Sequence, residues 1–68
     1  MTEKVQGSDM VEWLAALSPG ETVLVSGREW CSLDDWKFEV TENGEARVLG
    51  REEAEALFDP DTTYEVTR

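Results

Sequence analysis

The chain has 68 residues, sixteen acids against six bases, no histidine and one cysteine, with a net charge of −10 and a pI near 4.1. That length allows one domain, whose folding buries only about 60% of the surface of the unfolded chain. The lone cysteine cannot form an internal disulfide, so the fold rests on packing alone or gains stability from a partner or a homodimer. The charge excludes direct binding to nucleic acid or to an anionic membrane surface and favours a basic protein partner.

Residues 1–7 read as a flexible N-terminal arm, and residues 8–68 as a single compact acidic domain. The start "MTEKVQGSDM" has no basic segment followed by an apolar run, so it is not read as a signal peptide. No stretch is apolar enough to span a bilayer. The single cysteine fits a reducing, cytoplasmic setting.

Residues 9–17 predict a helix. Asp9 stands three residues before Glu12, as in a capping box, with Ser8 as the other cap candidate. Met10, Trp13, Leu14 and Leu17 recur on one face. Pro19-Gly20 then predicts a turn. Residues 21–26 predict a strand whose unbroken apolar run suits a central position covered on both faces, and Gly27 ends it. Residues 28–36, "REWCSLDDW", have no clear period; Ser32 followed by Asp35 suggests the cap of a single helical turn.

Residues 36–41 and 45–49 predict a hairpin around Asn43-Gly44. Two registers compete. A two-residue loop pairs Val40 with Arg47 and Phe38 with Leu49, and turns Val48 to the face of Glu39. A three-residue loop, Glu42-Asn43-Gly44, pairs Phe38 with Val48 and Glu39 with Arg47. The second keeps one face apolar and is the register expected. Residues 51–58 predict a helix with Glu52 and Glu53 at its positive end and Ala54, Leu57 and Phe58 turned inward. Residues 63–67 predict a closing strand with Tyr64 and Val66 on one face. The fold class expected is α+β, a small, mostly antiparallel sheet packed against one or two short helices.

Little of this supports catalysis. Without histidine there is no Ser-His or Cys-His dyad, and one cysteine without histidine makes no ordinary zinc site. Arg28 is the only base near Cys31, while Glu29, Asp34 and Asp35 oppose a thiolate there, so Cys31 reads as a small apolar filler. Asp34 and Asp35 are neighbours in sequence with no cleft-forming context, and so are poor paired catalytic carboxylates. "DPDTTYE" spaces oxygen ligands at alternate positions but lacks the glycine and the closing glutamate of a calcium loop; it reads as a turn entering a strand. There is no phosphate-binding glycine loop and no basic patch interleaved with aromatics. The expectation is a non-enzymatic protein with no cofactor and no metal.

Trp13 and Trp36 fit a core by periodicity, and Trp30 does not. An exposed Trp30 rimmed by acids would have the composition of a contact hot spot. The binding residues expected are therefore Glu29, Trp30, Asp34 and Asp35, with Glu52, Glu53 and Glu55 as a second patch and Glu42 and Glu45 at the hairpin tip as a third. The first functional reading is an acidic interaction module, an inhibitor that imitates the charge of nucleic acid and blocks a basic nucleic-acid-binding protein. Small phage-encoded proteins that block defence nucleases share this size and charge, an analogy of composition alone. The second reading makes the acidity a solubility device of a halophile's cytoplasm. Two lysines against sixteen acids fit that pattern, while eleven glutamates against five aspartates lend it no support. A third, a small-molecule or ion-binding module or an enzyme subunit, has no motif behind it.

Overall fold

The computed structural model describes residues 2–68. In chain order the elements are β1 (Thr2–Gln6), a 3-10 turn (Gly7–Asp9), α1 (Met10–Ala15), β2 (Thr22–Val25), β3 (Arg28–Ser32), β4 (Phe38–Glu42), β5 (Glu45–Leu49), α2 (Arg51–Ala56) and β6 (Thr63–Thr67). The six strands form one antiparallel sheet in the order β1-β6-β2-β3-β4-β5. Strands β2 to β5 are a meander of sequence neighbours, and β6 returns to the far side of β2. The fold is α+β, as the patterning predicts.

One face of the sheet is covered. Val23 and Val25, Trp30, Phe38 and Val40, Leu49 and Val66 point into it and are at most 5% exposed. Met10, Val11, Leu14 and Leu17 from α1 and its C-terminal extension close over them, with Ala54 of α2 and Phe58 after it. Trp30 is the centre: its ring lies 5.1 Å from Phe58 and 6.5 Å from Phe38, and Phe58 is 5.2 Å edge-on from Tyr64. Fully burying a side chain of this class contributes about 1.5–3 kcal/mol by area, so these few residues dominate the stability.

The other face is open, which corrects the view of residues 21–26 as covered on both sides. β2 is central in the sheet, yet Leu24 is 44% exposed between two buried valines. The arm expected at residues 1–7 is also corrected: Thr2–Gln6 form β1, paired along their length with β6. β1 has one apolar side chain, Val5, amid Glu3, Lys4 and Gln6, the composition of a sheet edge. Gly7 continues the docking, its N–H donating to Thr62 O at 2.7 Å.

The β4–β5 register is the two-residue one, against the expectation. Phe38 pairs with Leu49, Val40 with Arg47, and Glu39 with Val48. Asn43 and Gly44 have φ of 54° and 79°, the left-handed pair whose twist matches a two-residue hairpin. This register buries Leu49 and leaves the smaller Val48 57% exposed on the open face. It sets Glu42 opposite Glu45, and Arg28 forms an ion pair with Glu42 that offsets the repulsion.

The helices are shorter than the sequence suggests. No side chain caps α1, so Asp9 and Ser8 do not form the expected capping arrangement; the 3-10 turn takes that place. α2 ends at Ala56, and Leu57 is exposed rather than inward. Asp59 and Asp61 form the expected turn, with Asp61 N–H donating to Asp59 Oδ1 at 2.9 Å and Asp59 N–H to the Tyr64 hydroxyl at 2.8 Å.

Candidate functional site

The nonapeptide Arg28–Trp36 divides into a strand and a turn. Ser26 and Gly27, with φ of 49° and 84°, make a tight turn from β2 into β3. That turn sets Val23 opposite Trp30 and Val25 opposite Arg28, so Trp30 must share the buried face of the two valines. Trp30 is 1% exposed and is not a contact residue. The alternation in β3 was hidden because its inward residues are Arg28, Trp30 and a buried Ser32. Glu29 and Cys31 lie on the open face, Glu29 between Leu24 and Thr41, and Cys31, half-buried, between Thr22 and Glu39.

The exposed tryptophan is Trp36. The β3–β4 loop is closed by Leu33 N–H donating to Lys37 O at 2.9 Å and Lys37 N–H to Asp34 O at 3.3 Å. Its two central residues, Asp35 and Trp36, have φ of 59° and 57°. This left-handed turn replaces the helical turn expected after Ser32, and it starts β4 only at Phe38. Aspartate tolerates that region, whereas a bulky residue there costs roughly 1–2 kcal/mol. Trp36 is therefore turned out of the core and is 40% exposed, in place of the buried position expected from its spacing with Phe38 and Val40. One face of its indole carries the Arg51 guanidinium, 4.3 Å from the ring centroid. Arg51 Nε in turn donates to Glu55 Oε1 at 3.2 Å.

The structure thus brings Asp34, Asp35 and Trp36 to one end of the sheet, beside α2 with Glu52, Glu53 and Glu55, all exposed. Glu53 also has a local role, its Oε1 accepting from Gly50 N–H at 3.3 Å at the start of α2. Glu29 lies toward the other end of β3. Glu42 and Glu45 form the tip of the β4–β5 hairpin, at the end opposite to Trp36. The nine expected residues are therefore not one surface. What sequence reasoning missed is Trp36 as the exposed ring; the signal for it was the pair of residues Asp34-Asp35, which interrupts the alternation just before it.

Among the described residues, Glu3, Glu21, Glu42 and Glu55 pair with arginines, and no other carboxylate has such a partner. No group of three or more Cys, Asp or Glu among them is arranged to hold a metal ion. No helix of the described residues is long and apolar enough to cross a membrane. No protein-family model, curated protein or solved structure matches this chain.

Proposed function

We propose that this chain is a small, acidic, non-enzymatic interaction module that docks on a basic, nucleic-acid-binding protein and inhibits it by placing carboxylates where phosphates would lie. The observation that carries this reading is the Trp36 corner. A tryptophan is held exposed, at a backbone conformation that opposes it, between Asp35 and an arginine-bearing acidic helix. Strain of this kind concentrates at functional sites. An exposed aromatic amid charge is the usual chemistry of a contact hot spot, and the surrounding carboxylates speed encounter with a basic surface.

Two measurements test it in order. Thermal unfolding followed by circular dichroism from near-zero to molar potassium chloride comes first. Cooperative folding in dilute buffer is expected; folding only in molar salt refutes the reading and leaves the acidity as adaptation to a salty cytoplasm. Capture of basic proteins from lysate follows. The captured protein should bind DNA or RNA in its own right, exchange nucleic acid for this chain, and be released as salt rises. A captured protein that binds this chain and nucleic acid simultaneously refutes the mimicry.

A further inference from the structure

A cleft of about 260 Å³ lies between the start of α1 and the end of α2. Its floor is apolar, made by Val11 and Phe58, both less than 10% exposed, with Pro60 at one side. Glu12 and Glu55 stand in its lining, and no basic residue does. One wall is fixed by close packing. Gly7 presses so tightly on the α2–β6 loop that a Cβ there would meet Asp59 O at 1.8 Å, and Gln6 Nε2 donates to Pro60 O at 3.1 Å.

We propose that this cleft is an anchor site for one lysine or arginine side chain of the basic partner. The identity of the source rests on the function proposed above; the chemistry rests on the cleft itself. A metal ion would leave the apolar floor unused. A purely apolar ligand would strip water from two carboxylates without compensating them. A cation on an aliphatic stem satisfies both, its stem on Val11 and Phe58 and its head between Glu12 and Glu55. Arg51 engages Glu55 Oε1 from the preceding turn of α2, but an exposed pair of that kind is too weak to hold the carboxylate away from a ligand.

The test uses n-butylguanidinium as probe, with guanidinium chloride and n-butanol as controls at equal ionic strength, followed by amide chemical shifts of the labelled protein. Saturable shifts confined to Gly7, Ser8, Val11, Glu12, Glu55 and Phe58 are expected from n-butylguanidinium alone. The double variant E12Q/E55Q should weaken its binding by roughly fivefold or more, with changes in the ligand-free spectrum outside the cleft confined to Arg51 and Trp36, which Glu55 reaches through its ion pair. Non-saturating shifts spread over the acidic residues, equal binding of guanidinium chloride, or no effect of E12Q/E55Q would each overturn the site. The probe needs no partner. Its failure leaves the Trp36 contact standing, and failure of lysate capture leaves the cleft standing.

Discussion

Replacing Trp36 by glycine and by alanine should give stabilities in the reverse of their usual order. In a strand or helix interior glycine is less stable than alanine by roughly 0.5–1 kcal/mol, because it loses more backbone freedom on folding. At position 36 the backbone has φ of 57°, which glycine adopts freely and alanine does not. Both variants lose the same indole, the same contact with the Arg51 guanidinium at 4.3 Å and the same partial burial of a ring left 40% exposed. Their difference therefore isolates the backbone. Alanine keeps a left-handed penalty of about 1–2 kcal/mol, while glycine removes it. Trp36→Gly should then be more stable than Trp36→Ala by about 1 kcal/mol, which is about 4–8 °C in Tm for a domain of this size. Urea unfolding of both variants, followed by circular dichroism and by the fluorescence of the two remaining tryptophans, measures the difference directly. If Trp36→Ala proves the more stable, the turn is not left-handed at Trp36 and the argument from strain to contact surface fails.

Trp30→Ala should cost roughly 3–5 kcal/mol, against a total stability of about 3–10 kcal/mol for a chain this long; a cooperative melt near that of the parent protein would contradict Trp30 as the centre of the core. Gly7→Ala places a Cβ on the Asp59 carbonyl and should destabilise by at least about 1–3 kcal/mol, with a neutral urea midpoint as the contrary result. Val48→Lys faces Glu39 across the open side of the hairpin and should leave Tm unchanged or raise it, since cross-strand charge pairs contribute about 0.2–1 kcal/mol. Unfolding of that variant would point to the three-residue register. Replacing Asp34 by lysine and Asp35 by asparagine, which also tolerates the left-handed backbone, should leave Tm within a few degrees and sharply weaken capture of the basic partner, and unchanged affinity would move the contact away from this loop.

Where the sequence carried strong local chemistry it was sufficient. The turn at Asn43-Gly44, the α2 start with its two glutamates and the closing strand at 63–67 stand where patterning places them, while the register of the hairpin around that turn does not. The misreadings share a cause: turn geometry overrode hydrophobic alternation. Ser26-Gly27 is a complete two-residue turn, and applying it would have sent Trp30 inward opposite Val23. Asp35 and Trp36 adopt a conformation that no propensity assigns to tryptophan, so the alternation Trp36-Phe38-Val40 runs one residue pair too far. β1 was illegible for another reason. Its pairing lies 65 residues away at Thr67, and only Val5 marks a buried side. Of the two tryptophans in Arg28–Trp36, the spacing turned Trp30 outward and Trp36 inward, and the structure has them the other way round.

That distant pairing has a kinetic consequence. The β2–β5 meander joins neighbours in sequence and can form without long loop closure, whereas β1 can meet β6 only after nearly the whole chain has condensed. β1 is thus the element that zips last and opens first. Its amides should exchange with solvent deuterium through an opening well below the global unfolding energy, while those of β3 and β4 wait for the whole molecule to unfold. The wall of the α1–α2 cleft hangs from that same strand through Gln6 and Gly7. Its shape is therefore tied to the least protected part of the sheet, and anything seated in it should slow the exchange of β1.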